Sequence, residues 1–205
     1  MLKGLLYLVL ILVLIGALAG AYHLFQVAER NKQALKPYQG PRQTYQSDLG
    51  KVLVIFYSLT GHTRAIANQI ATLTQADIYE IKTEQPLDLG WFYLNVKKQL
   101  KTKQYPPLVQ NTPDLSQYDV IFVGSPVWWY TISTPVLSFL QQTDFMGKKV
   151  VPFSTQGSNF GRFFETFQQE AQHAVLQKGA SFNNVNASYD DAVHNKIVDW
   201  LNGLK

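Results

Sequence analysis

Three short segments gather side chains able to hold a polar, planar ligand, and each follows a run that reads as a buried strand. The first, Ser58-Leu59-Thr60-Gly61-His62-Thr63, places three hydroxyls between the apolar run Lys51–Tyr57 and the helical pattern that starts at His62. Hydroxyls, the unpaired amides of a helix start and a glycine that permits a tight turn make a phosphate cradle, and the helix dipole adds attraction. An ordinary helix N-cap has the same composition. The GxxxxGK[ST] lysine is missing, which argues against nucleoside triphosphate hydrolysis.

The second segment, Gly124-Ser125-Pro126-Val127-Trp128-Trp129-Tyr130, puts three consecutive large aromatics after another buried run. Aromatics on a loop suit the covering of a planar ring, although one or two of them could equally close the sheet edge. The third, Thr155-Gln156-Gly157-Ser158-Asn159-Phe160-Gly161, is small and polar and could bring backbone amides against a flat ligand, or could simply start a helix. Together a phosphate cradle, an aromatic cover and an amide-rich loop suit a phosphorylated planar heterocycle, of which FMN is the obvious candidate.

These loops need a scaffold that brings three strand ends together. Residues Lys51–Tyr57, Asp77–Lys82, Tyr118–Val123, Lys149–Phe153 and Ala180–Val185 read as five strands. Helical patterns lie between and after them at His62–Leu73, Trp91–Lys103, Pro135–Gln141, Phe160–Gln177 and Asp190–Leu204. Strands alternating with helices imply a doubly wound α/β fold with a mostly parallel sheet, whose ligands bind beyond the carboxyl ends of the strands.

On these residues the chain resembles the flavodoxin family from about Lys51 to Lys205. Ser58, Leu59, Thr60, Gly61, His62 and Thr63 are similar to the family's hydroxyl-rich phosphate loop. Ser125, Pro126, Val127, Trp128, Trp129 and Tyr130 resemble the second flavin loop of a bacterial branch, and Thr155, Gln156, Gly157 and Ser158 the third. Gly157 is single where that branch tends to carry a glycine pair. The resemblance implies a five-stranded parallel sheet in the order 2-1-3-4-5 with FMN at the switch point between the first and third strands. Three roles stay open on the sequence: an FMN electron carrier serving a redox partner protein or quinone, an NAD(P)H-dependent quinone or flavin reductase, and a flavin-free binding module.

The remaining 50 residues are of a different kind. No formally charged residue lies between Gly4 and Phe25, a stretch long enough as a helix to cross a bilayer, at roughly 33 Å. It reads as a transmembrane anchor over residues 1–28, with Tyr22 as an interfacial aromatic; Ala17-Leu18-Ala19 leaves a cleaved signal peptide, and hence export, as the alternative. More Lys and Arg follow the span than precede it, which places the folded domain in the cytoplasm. Residues 29–50, with Pro37, Gly40, Pro41 and Gly50, read as a polar linker.

The composition narrows the chemistry further. The chain has no cysteine, so thiolate metal sites, disulfides and cysteine nucleophiles are excluded. The four histidines show no metal-ligand spacing, and no metal is expected. Of the net charge of +4, +3 belongs to residues 1–50 and only +1 to the rest, so no basic stripe for nucleic acid is expected.

Overall fold

The computed structural model describes residues 2–87, 90–109, 112–183 and 190–204. Its sheet is built on β1 (Val52–Phe56), all of whose residues are buried. Leu53 and Ile55 face one helical layer, and Val52, Val54 and Phe56 face the other. This is the pattern of a strand covered on both sides, and it explains the unbroken apolar run. β1 pairs in parallel with β2 (Asp77–Glu80) on one flank and with β3 (Val120–Trp128) on the other. β5 (Lys149–Gln156) lies in parallel beyond β3. On one face α3 (Phe92–Thr102), α4 (Thr134–Gln142) and α5 (Phe163–Glu170) bury Val96, Leu137, Phe139 and Phe163. On the other, α2 (His62–Thr74) and α6 (Asp191–Asn202) bury Ile66, Ile70, Ile197 and Trp200.

The strand order is the expected one as far as the fourth member. The fifth strand is split: β6 (Val175–Leu176) pairs with Lys149 and Val150, and β7 (Ala180–Asn183) pairs with Phe153–Gln156. The helix expected over Phe160–Gln177 accordingly covers only α5. Beyond it the chain gives its carbonyls to the open edge, where Phe145 donates to Gln172 and Gly147 to His173, and Val175 donates to Lys148. A sheet edge has unpaired donors and acceptors to satisfy, and these bonds displace the last helical turns. The expected end of the last strand, at Val185, falls outside the described residues.

β3 also runs past its expected end. It continues through Trp128, turns at Trp129-Tyr130 and returns as β4 (Thr131–Ile132), with Trp128 opposite Thr131. Trp129 (φ 48°) and Tyr130 (φ 60°) are both left-handed, the conformation a two-residue hairpin requires and one that bulky side chains seldom adopt. At Gly124, a Cβ would stand 2.0 Å from the Phe153 ring; only glycine lets β5 carry a phenylalanine there.

Ahead of the sheet, α1 (Leu2–Leu35) is one unbroken helix. It is long and apolar enough to cross a membrane, and none of its most apolar window is buried in the protein. It continues beyond residue 28 because residues 29–35 are mostly good helix formers, with Gln33 bonded one turn back to Glu29 at 2.9 Å, and it ends in a 3-10 turn at Pro37. Residues 39–50 then run along α6. Gln43 N donates to Asn195 Oδ1 (2.7 Å), Asn195 Nδ2 donates to the carbonyls of Tyr38 and Pro41 (both 3.1 Å), and Gln46 N donates to Asn202 Oδ1 (3.1 Å). The segment expected as a linker is thus strapped to the domain.

Candidate functional site

The three loops meet at the carboxyl ends of β1, β3 and β5. Phe56 ends β1, and Tyr57 beyond it donates its amide to the Gly124 carbonyl at 3.1 Å. Burial, with a smaller contribution from the Glu80 carboxylate, pushes the Tyr57 hydroxyl up to about 12. The ring lies in the core layer that also holds Val96 and Trp128, on the side of the sheet opposite α2, and the phenol stays neutral there.

Ser58 opens the first loop half-buried, with its Oγ accepting the Gly61 amide at 3.1 Å. Leu59 and Thr60 are exposed. Gly61 takes φ 90°, and a Cβ there would meet open space. α2 starts at His62 behind Gly61, a residue with no side chain to occupy the N-cap position, and the helix start brings amide donors and a positive dipole end to the turn that carries Ser58 and Thr60. Thr63 points elsewhere. It is buried, and its hydroxyl lies 2.8 Å from that of Thr155, which ties the first loop to the third.

In the second segment Ser125 is fully buried, and its Oγ accepts the Ser133 amide at 3.0 Å and contacts the Ser133 hydroxyl at 2.9 Å. It braces the base of the hairpin. Of the three aromatics Trp128 is the one turned inward: it is buried, edge-on to Tyr57 at 5.6 Å and to Phe92 at 4.8 Å. It joins the core layer of Ile121 and Val123, placed there where β3 turns back into β4 with Trp128 opposite Thr131 rather than by simple alternation along the strand. Trp129 and Tyr130 are the exposed pair. The Trp129 indole donates to the Tyr93 carbonyl at 3.1 Å, and Lys97 Nζ stands 5.5 Å from its ring centroid.

A cavity of about 230 Å³ opens between the second and third segments, lined by Val127, Trp129, Tyr130, Gln156, Gly157 and Ser158 together with Tyr93 and Asn159. Pro126 lies half-buried beside it in the strand. The Gln156 Oε1 accepts from Ser154 at 3.0 Å, and Asn183 donates to the Ser158 carbonyl at 3.3 Å, so the third loop is held from both ends. Gly161 lets that loop close on the hairpin, where the Arg162 amide reaches the Tyr130 carbonyl at 2.7 Å.

Tyr93 and Asn159 were not expected at the site. Asn159 sits inside the third loop, and its signal was its position. Tyr93 belongs to WFYLNVKKQLKTK, whose joined aromatics and lysines stand out in the sequence but are as well explained by an ordinary amphipathic helix. A larger cavity of about 460 Å³ lies between α3 and the Gln104–Pro107 turn. It stands apart from the loops that meet at the strand ends.

The flavodoxin family model matches residues 51–203, and the chain belongs to the flavodoxin family. An NAD(P)H dehydrogenase (quinone) of Cupriavidus metallidurans is 31% identical over 129 residues, 62% of this chain and 63% of that protein. One of the same description from Paraburkholderia phymatum is 32% identical over 100 residues, 46% of this chain and 47% of the relative. The chain thus spans less than two thirds of the length of either. Among solved structures, a candidate flavoprotein from Bacteroides uniformis is similar with a TM-score of 0.63 and 28% identity, covering 74% of this chain and 97% of its own. A flavoprotein from Lactobacillus acidophilus in complex with FMN has a TM-score of 0.59 at 24% identity over 64% of this chain and 92% of its own, a likeness of fold.

Proposed function

We propose that this protein is a membrane-anchored FMN electron carrier that passes electrons between a reductase and an acceptor, either a redox partner protein or a quinone. The observation that carries the reading is the meeting of the Ser58–Gly61 turn, at the start of α2, with the hairpin and third loop at the β1/β3 switch point, where flavodoxins hold FMN. The site fits the cofactor. Ser58, Thr60 and the first amides of α2 can hold a terminal phosphate, and Trp129, Tyr130 and the backbone of Gln156–Ser158 border a cavity suited to a flat ring. Leu59, Gly61 and His62 shape the turn, while Thr63, Ser125 and Thr155 brace it from the interior.

FMN, when bound, supplies an isoalloxazine able to take up and release electrons. The protein supplies phosphate binding, ring orientation and the exclusion of water. Trp129 and Tyr130, held at the mouth by a strained turn, crowd the approach of a second planar molecule and favour the carrier role. The apolar run Gly4–Phe25 supports an anchor retained in the membrane, and the basic residues that follow it support a cytoplasmic domain.

A second reading, an NAD(P)H-dependent quinone reductase, is favoured by the names of the relatives and by the burial of Trp128, which leaves two rings at the mouth rather than three. Adding NADH or NADPH to the FMN-loaded full chain separates the two. The carrier bleaches only when a reductase is also present. Prompt bleaching by the nicotinamide alone would establish the enzyme and overturn the carrier.

A further inference from the structure

The path of the chain around α6 fixes which edge of the sheet α1 leaves from. Lys196 Nζ reaches the Ser181 carbonyl at 2.7 Å and the Trp200 indole reaches that of Lys178 at 2.8 Å. Moving forward along α6 therefore means moving backward along β7. The start of α6 consequently lies at the carboxyl edge of the sheet, the edge of the three loops. The strap runs the same way as α6: Arg42 pairs with Asp191 at 3.1 Å, Gln43 bonds to Asn195, and Ser47 N reaches Asn202 at 3.3 Å before β1 begins at the opposite edge. The end of α1 is thus delivered to the loop edge. No flexible joint intervenes, because the helix is continuous from its apolar stretch to Leu35, and Val27, only two residues after Phe25, is already buried. A continuous helix transmits orientation where an unstructured linker would not.

The surface at that edge is apolar and aromatic. Among the described residues outside α1, Leu59, Trp91, Tyr93, Leu94, Tyr130 and Phe160 are exposed large side chains on its loops and at the start of α3. Met146 and Val175 lie at the opposite edge, in the turn before β5 and on the strand piece paired with its first residues. α3 also carries Lys97, Lys98 and Lys101 and is followed directly by Lys103, all exposed, with no acidic residue between Trp91 and Lys103. Tryptophan and tyrosine prefer the headgroup region of a bilayer, and lysines reach from an apolar surface to lipid phosphates.

We infer that the loop edge of the domain rests on the phospholipid surface in which α1 is seated, with the start of α3 at the headgroups and the flavin site turned toward the membrane. The inference rests on the membrane-anchor reading above and deepens it. It restricts the acceptor to one reached at the bilayer surface, a lipid-soluble quinone or the exposed face of a membrane-bound partner.

The chain has no cysteine, so single labels can be placed without background. The variants Leu94→Cys at the loop edge, Met146→Cys at the opposite edge and Leu12→Cys in α1 each receive a fluorophore. The full chain is then reconstituted with FMN into phosphatidylcholine–phosphatidylglycerol vesicles carrying nitroxide-labelled lipid. The Leu94 label is expected to be quenched several-fold more strongly than the Met146 label, with the Leu12 label quenched most. Equal quenching at Leu94 and Met146 with strong quenching at Leu12 would overturn the orientation while leaving the anchor standing. An unquenched Leu12 label would overturn both.

Discussion

Replacing Ser58 and Thr60 together with alanine is expected to weaken FMN binding by about 2 to 6 kcal/mol, taking about 1 to 3 kcal/mol for each charge-assisted bond lost to the phosphate. Riboflavin, which has the same ring and no phosphate, should lose little. The comparison works because Thr60 is exposed and the half-buried Ser58 hydroxyl, which accepts the Gly61 amide, keeps its own proton to donate, whereas Thr63 is buried against Thr155. Thr63→Ala should therefore weaken both flavins together by loosening the junction of the first and third loops. Titration of each variant with FMN and riboflavin, followed by fluorescence, reads the difference. Equal losses for both flavins in the Ser58/Thr60 variant would show that the turn does not hold the phosphate.

The largest effect on stability is expected at Trp200. Its ring meets Phe122 at 5.5 Å, Phe182 at 6.0 Å and Phe153 at 6.5 Å, and its indole donates to the Lys178 carbonyl. The side chain therefore joins α6 to three strands and to the turn before β7. Trp200→Ala removes the packing and orphans a carbonyl, a combination that costs about 3 to 5 kcal/mol in a closed core. In a domain of this size that corresponds to a fall in Tm of roughly 10 °C. Thermal unfolding followed by circular dichroism checks it, and a fall of only a degree or two would mean that α6 is held mainly by its strap contacts.

The buried strands were legible because a strand covered on both faces must be apolar throughout, and Val52–Phe56 could hardly be anything else. The three loops were legible as places because each follows such a strand. The direction of individual side chains was not. Trp128 and Trp129 are neighbours of one type, and which of them enters the core depends on how far β3 extends, a matter settled by its pairing with β4. Thr63 has the composition of a phosphate ligand, yet its hydroxyl bonds across to Thr155, 92 residues away. The strap was hidden for a similar reason. Residues 39–50 have the proline, glycine and polar content of a free linker, and their order comes from Asn195 and Asn202, which bond to the strap from α6. Tyr93 reaches the site through its carbonyl and through a ring edge-on to Trp129 at 6.2 Å, and its aromatic-and-lysine segment was equally readable as an ordinary amphipathic helix.

Whether this fold holds FMN is read from the flavin content of the full chain purified in mild detergent. The full chain is expected to be a yellow protein that releases FMN, not FAD or riboflavin, on denaturation, in a ratio approaching one per chain, and that recovers its absorbance when stripped and resupplied with FMN. A protein that purifies colourless and takes up no FMN when it is added would contradict the account and leave a flavin-free binding module on the same fold.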